Sequence, residues 1–374
     1  MTQLEEKTDR LVRMLASAKL GGVLLSSQPN FSWLTGGGTN GIDLSREAGA
    51  GALLVRADGK RFVLANKIEM PRLLAEEIST ADFEPVEFPW EEEKSSSSFL
   101  AARAAALITR GTSLGMDMPA GADVRVVEGL VASCRYQLTP SEIERYRALG
   151  KDAGELLGNL MKTIMPGETE MEVARRTAYT LATRNIQSVV LLVAGDERIQ
   201  RFRHPVPTTR VWEKVIMVVV CARRHGLIAS LTRLACAGAK PDELTRRTIA
   251  AAQVNARLFA TTRPGASGAD LYKEAARSYA EAGFPNEEHL HHQGGACGYR
   301  TRDWVAHSLS GDLVLANQAF AWNPSVTGTK VEETCIAFAD GVETITSSPD
   351  WPSLSIEIAG QHYSFPDVLG CEAL

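Results

Sequence analysis

The chain has 374 residues, with 40 Lys plus Arg against 45 Asp plus Glu and a formal charge of −5, a balance that excludes a strongly basic nucleic-acid binder. At 44% hydrophobic and 23% charged it reads as an ordinary globular protein, long enough to bury two medium-sized cores. No stretch approaches the ~18 uninterrupted apolar residues of a membrane span, and the start from Met1 to Arg13 is polar where a signal peptide is apolar, so the expected location is cytoplasmic with no membrane partner.

Leu11, Met14, Leu15 and Ala18 share one face of a helix expected over 5–20, which feeds a short buried strand at 21–25. Apolar runs at 52–55 and 61–65 flank Asp58-Gly59, whose glycine supplies the positive φ of a hairpin turn. Helical periodicity at 70–78, 99–109 and 122–132 alternates with strand-like segments at 83–88, 113–117 and 135–138, giving an α/β domain over 1–138. Glu91-Glu92-Glu93-Lys94 and the serines after it read as a solvated loop. A second domain, 139–374, opens at Thr139-Pro140-Ser141-Glu142, where Thr139 or Ser141 caps a helix and Pro140 suits its first turn. Helices are expected at 141–163, 170–184, 240–261 and 268–282, and strands at 188–193, 215–222, 319–322 and 331–339. The six cysteines, Cys134, Cys221, Cys236, Cys297, Cys335 and Cys371, form no CxxC pair, so neither a disulfide framework nor a thiolate zinc site is expected. The Gly36-Gly37-Gly38 run lacks the spacing of a nucleotide loop.

Several short motifs fall in a set order. They are Asn30-Phe31-Ser32-Trp33-Leu34-Thr35-Gly36, Thr139-Pro140-Ser141-Glu142-Ile143, Met165-Pro166-Gly167-Glu168-Thr169-Glu170, Arg203-His204-Pro205, Ser230-Leu231-Thr232-Arg233, Arg263-Pro264-Gly265, His291-His292-Gln293-Gly294-Gly295, and Asn323-Pro324 followed by Lys330-Val331-Glu332-Glu333-Thr334. In this order and spacing they resemble the pita-bread superfamily of methionine aminopeptidase, prolidase, aminopeptidase P and creatinase. The resemblance covers nearly the whole chain. It implies an α/β (α+β) protein, with a small N-terminal creatinase-type domain followed by a C-terminal pita-bread domain.

Peptidases of that superfamily hold two divalent metals with two aspartates, a histidine and two glutamates, whose hard oxygens bridge the ions. On this chain the resemblance puts those positions at Val219, Ser230, His292, Asn323 and Glu332, with His291 close enough to leave the histidine register open. Only a histidine and a glutamate remain. Neutral Val, Ser and Asn do not offset two adjacent dications, so no metal and no cofactor is expected.

His204 falls where the resemblance places a substrate-facing histidine, the acid/base group of metal-free creatinase, and an ordinary histidine pKa near 6.5 suits that task. His292 is expected to assist it, and Glu332 to orient a histidine or hold a substrate cation. On a strand His291 and His292 would face opposite sides, so one of them is expected to line the pocket, and Gly294-Gly295 would let the backbone pass close to a ligand. Cys221 shares a strand face with Val219 and points to the same place, as do the former metal positions Ser230 and Asn323. Arg198, Arg201, Arg203, Arg223, Arg224, Arg233, Arg300 and Arg302 crowd these motifs, which favours an anionic small molecule, with Arg203 and Arg300 as its contacts. Phe31, Trp33 and Trp90 belong to the small domain, which in dimers of this superfamily reaches over the partner's pocket; Phe31 and Trp33 are candidate lid residues of a homodimer. The reading is a metal-independent, creatinase-like hydrolase cleaving a C–N bond of a small anionic substrate by histidine acid/base catalysis. The alternatives are an inactive peptidase homologue acting as a binding protein, and a lyase.

Overall fold

The computed structural model describes residues 2–120 and 124–371, and the chain divides into two compact units, Met1–Arg135 and Tyr136–Leu374. In the first, Thr2 and Glu5 form a reciprocal capping box at the start of α1 (Gln3–Ala18), and Lys19 ends the helix in the left-handed conformation before β1 (Leu20–Ser27). Ser27 caps α2 (Gln28–Thr35), with Pro29 in its first turn and Gly36 at φ 77 closing it. Eight residues are too few for a helical period to show in the sequence, so α2 was not anticipated. β2 (Ala48–Arg56) and β3 (Arg61–Asn66) pair antiparallel around Gly59 at φ 82, the hairpin read from the sequence.

A short α3 (Met70–Arg72) runs on as a π turn to Glu77 before β4 (Glu84–Phe88). α4 (Trp90–Ser95) forms where a loop was expected, and α5 (Phe99–Ala105) follows it. β5 (Ser113–Met116), β6 (Arg125–Val126) and α6 (Glu128–Arg135) complete the unit. Of the helix expected at 122–132, residues 122 and 123 lie outside the described residues. The strand expected from residue 135 is also corrected. Arg135 is the last residue of α6, where its buried guanidinium donates to Asn30 Oδ1 at 2.6 Å and Glu128 Oε1 at 3.0 Å. The strands order β4-β3-β2-β1-β5-β6, and Leu24, Leu54, Leu64 and Met116 pack one face of that sheet against Ala101 and Ala104 of α5.

The second unit repeats one plan twice. α7 (Pro140–Met161) and α8 (Glu170–Ala182) precede β7 (Gln187–Gly195), the short α9 (Glu197–Arg201), β8 (Val215–Arg224) and β9 (Leu227–Ala237). α10 (Asp242–Thr261) and α11 (Gly268–Glu281) then precede β10 (Gly294–Cys297), β11 (Trp304–Val305), β12 (Gln318–Trp322), β13 (Glu333–Ala337) and β14 (Val342–Thr344). Each second helix is introduced the same way. Gly167 and Gly265 sit at φ 101 and φ 92, and Thr169 and Ser267 two residues on cap α8 and α11. Each capping residue also makes an isolated bridge, to Val211 and Leu313 respectively. β15 (Ser353–Ile358) and β16 (Gln361–Pro366) form a closing hairpin, and β17 (Leu369–Cys371) adds in parallel to β9.

Neither this closing stretch nor β9 was read from the sequence. β9 is almost wholly buried, so it lacks the polar alternation that marks a half-exposed strand. Gly154 shows how tightly the unit closes: a Cβ there would fall 2.3 Å from the Ser347 carbonyl oxygen, so only glycine lets α7 meet that segment. Among the described residues no helix is long and apolar enough to cross a membrane.

Candidate functional site

The site grows from one face of the sheet in the first half of the second unit. On β7 and β8, Val190 pairs with Cys221 and Leu192 with Val219, so these four side chains share a face. β9 extends both rungs, with Ser230 opposite Cys221 and Thr232 opposite Val219. The edge of β9 then meets the approach to β13. Ser230 N donates to Thr334 Oγ1 at 2.7 Å, and Thr232 N donates to the Glu332 carbonyl at 3.2 Å. This seam joins the two half-sheets and sets Glu332 beside the ladder. Over it lies a cavity of about 290 Å³, with Val190, Leu192, Val219 and Cys221 as one wall, and His204, His292, Asn323, Glu332, Arg302 and Lys330 among the rest.

The histidines meet in a way that the sequence reading did not anticipate. His291 and His292 lie in a loop before β10 rather than on a strand, and their rings stack with centroids 4.4 Å apart at 25°. His291 Nε2 and His204 Nε2 share a hydrogen bond of 3.0 Å, so all three imidazoles form one cluster, with His204 exposed at its rim. Gln293 anchors the loop, its Nε2 donating to the His291 carbonyl and its Oε1 accepting from the Tyr279 hydroxyl at 2.6 Å. The same hydroxyl accepts from Ser325 N at 2.9 Å, so Tyr279 of α11 pins both the histidine loop and the Asn323–Ser325 turn. Gly294 and Gly295 serve neighbouring strands and not a ligand. Cβ atoms there would fall 2.1 Å from the carbonyl oxygens of Ala321 and Trp304.

Burial, with Lys330 and Arg302 nearby, pushes the His292 imidazole down to about 4, and burial with the Lys330 charge takes His291 to about 2. His204 is lowered by the same causes in the same order, burial and then Lys330. Lys330 itself is 4% exposed, and its burial holds the ammonium pKa below the usual lysine value against the opposing charge of Glu332. It is the charged cavity residue that sequence reasoning missed. The available signal was its parity with Glu332, which in extended chain places both side chains on one side. The Cys221 thiol is pushed up by burial and by Glu332, an environment unsuited to a thiolate nucleophile.

Other expectations are corrected. Glu332 orients no histidine: its Oε2 accepts from Thr232 Oγ1 at 2.7 Å and its Oε1 lies 3.4 Å from Arg302 Nη2. Ser230 is fully buried and donates to Cys221 Sγ at 3.3 Å, which leaves it one side chain behind the cavity wall. Arg203 is a structural clamp. It donates to Ser325 Oγ at 3.0 Å and Thr327 Oγ1 at 2.9 Å and pairs with Glu287. Arg233 is buried against Glu333 at 2.9 Å, and Arg224 is committed to Asp152 at 2.6 Å. Arg300 is half-buried and off the cavity wall, where Arg302 is the arginine present among the described residues. Phe31 and Trp33 are fully buried in the first unit and offer no face to a substrate. Trp90 is 45% exposed.

Four of the positions that the resemblance assigns to metal ligands, Val219, His292, Asn323 and Glu332, do converge on this cavity. The residues do not fit the dinuclear centre. Among the described residues Glu332 is the one carboxylate on the wall, and it is accompanied by two cations, Lys330 and Arg302, where two dications would need further anions. The ring nitrogens of His204, His291 and His292 lie within 4.8 Å of one another and could together hold at most a single borderline cation. The field of Lys330 and Arg302, which disfavours imidazolium there, opposes that too.

A duplicated helix-pair-and-sheet unit around such a cavity, preceded in the chain by a smaller mixed-sheet unit, defines a protein of pita-bread fold with a creatinase-type N-terminal domain. The chain belongs to metallopeptidase family M24, whose profile matches residues 144–346, and the creatinase/prolidase N-terminal domain profile matches residues 7–148. Among solved structures, an Xaa-Pro dipeptidase from Bacillus anthracis is 17% identical, covering 98% of this chain and 99% of its own, with a TM-score of 0.75. The prolidase from Pyrococcus horikoshii OT3 is 16% identical, covering 92% and 98%, with a TM-score of 0.76. The N-terminal domain of the FACT complex subunit SPT16 from Cicer arietinum is 13% identical, covering 92% and 96%, with a TM-score of 0.68. At these identities the likeness is one of fold. No curated protein matches the chain in sequence.

Proposed function

We propose that the cavity is the active site of a metal-independent hydrolase that cleaves a C–N bond of a small anionic substrate by histidine acid/base chemistry. One observation carries the reading: His204, His292 and Glu332 line a single cavity in which Val219 and Asn323 stand at positions that the resemblance assigns to metal-ligand carboxylates, with Lys330 and Arg302 on the same wall. In the tautomer in which His204 Nε2 donates to His291 Nε2, the His204 Nδ1 holds the lone pair that takes a proton from an attacking water and later returns it to the leaving nitrogen. His292, held neutral at physiological pH, supplies a second acceptor on the cavity wall. Glu332 holds Arg302 by charge and Thr232 by hydrogen bond, which keeps the guanidinium at the wall. The test is a hydrolysis screen of small amide and ureido acids followed by His204→Ala and His292→Ala. Turnover falls by about 10² to 10⁴ while the melting temperature changes little. Near-normal turnover in both variants would exclude the histidine mechanism.

The lost metal positions also favour a second reading, a binding protein on the same fold, and SPT16 shows that the fold occurs in a subunit of a larger complex. Ligand-induced stabilisation with no product from any bound compound would select it.

A further inference from the structure

The cavity wall carries three polar side chains that are nearly inaccessible to solvent: Lys330 at 4%, Asn323 at 3% and Glu332 at 2% exposure. Glu332 is satisfied by Thr232 and faces Arg302. Asn323 Oδ1 and Arg302 Nε are buried without a hydrogen bond, and the Lys330 ammonium lines the same cavity with the charge of Glu332 opposing its desolvation. Unpaired buried polar groups are costly, and such a group on a cavity wall marks what the cavity is built to receive.

The geometry points to an N-acylated or N-carbamoylated small acid with no free amine as the ligand, its carboxylate held by Lys330 and Arg302 and its amide paired with the Asn323 carboxamide. This rests on the hydrolase reading only for the choice of a C–N bond as the reacting group. Lys330 and Arg302 outnumber Glu332, the carboxylate beside them, which leaves a positive charge for a ligand carboxylate to match. A carboxamide, whichever way its oxygen and nitrogen are turned, presents one donor and one acceptor to a –CO–NH– group. A dipeptide fails on charge, because its ammonium would meet Lys330 and Arg302 with the single carboxylate already engaged. A guanidinium ligand fails for the same reason. The side chains of Val190, Leu192 and Val219, within a space of about 290 Å³, leave room for a small apolar substituent.

Calorimetric titration of the full chain at pH 7 tests this by binding alone, with N-acetylglycine, N-carbamoylglycine, N-acetylglycinamide, acetate, glycylglycine and guanidinoacetamide as probes. The two N-blocked acids should bind saturably at millimolar or lower concentration, and at least about tenfold more tightly than the neutral amide, acetate, the dipeptide or the guanidine. Lys330→Met should remove that advantage over the amide, Lys330→Arg should restore most of it, and Asn323→Leu should remove the advantage over acetate. Melting curves identify any variant that fails to fold, in which case Lys330→Arg and Asn323→Asp carry the comparison. No saturable binding of either acid, equal binding of the dipeptide or guanidine, or affinity for the acids unchanged in Lys330→Met would overturn the proposal. Binding without hydrolysis would refute the hydrolase reading alone, and hydrolysis indifferent to Lys330 would refute this inference alone.

Discussion

Acidification should destabilise the second unit through its histidine cluster, and the size of the effect follows from the geometry. His291 is 8% exposed and its pKa is held at about 2, while His292 is held at about 4, against an ordinary 6.5. Both folded values are depressed, so the unfolded chain binds the protons first. Their contribution is fully present above pH 6.5 and is lost as pH falls toward the folded values. At pH 5 the gap of about 1.5 pH units below the ordinary value corresponds to about 2 kcal/mol per histidine. Both rings stay neutral in the folded protein at pH 5, so the two contributions add to a loss of about 4 kcal/mol between pH 7 and 5. For a unit of this size that lowers the melting temperature by about 8–16 °C. Calorimetric melts of the native protein and of the His291→Asn/His292→Asn double variant at pH 7 and pH 5 isolate this from the carboxylates, which titrate in both. The native protein should lose several degrees more than the variant, and parallel losses would refute the reasoning.

Tyr279→Phe removes a hydroxyl that serves Gln293 and Ser325, leaving buried partners unsatisfied; denaturant unfolding should show a loss of about 1–3 kcal/mol, with ligand affinity falling as the two loops slacken. Phe31→Ala should cost about 3–5 kcal/mol in the same assay, since the side chain is fully buried, yet leave ligand affinity unchanged. A change in affinity at constant stability would return Phe31 to the site. Sedimentation should give the homodimer implied by the resemblance to creatinase and prolidase, and a monomer at micromolar concentration would contradict that.

The elements with punctuation of their own were legible in the sequence. Thr139-Pro140 before α7, Pro166-Gly167 before α8 and Asp58-Gly59 in the hairpin each combine a cap, break or turn residue with a clear period, and each element forms as read. β9 was not legible, because a strand buried on both faces has no alternation. The motif order brought Val219, His292, Asn323 and Glu332 to one cavity, since these positions are fixed by ladder register and by the seam between the half-sheets. What each group bonds to was beyond the sequence. Arg203 and Arg302 lie in equally arginine-rich stretches, and only the fold shows that one is spent on Glu287 and Thr327 while the other faces the cavity. At His291 and His292 the parity argument assumed a strand where the chain makes a loop, although one histidine of the two, His292, does line the cavity as expected.

The central claim is that this M24 cavity works without the metals that the superfamily uses. Elemental analysis of the purified protein for Mn, Co, Zn and Fe, paired with activity before and after chelation on the best substrate of the amide-acid screen, tests it most directly. The donor set predicts well under one equivalent of any metal per chain and turnover unaffected by chelation. Two equivalents per chain, or activity abolished by chelation and restored by a divalent ion, would contradict it.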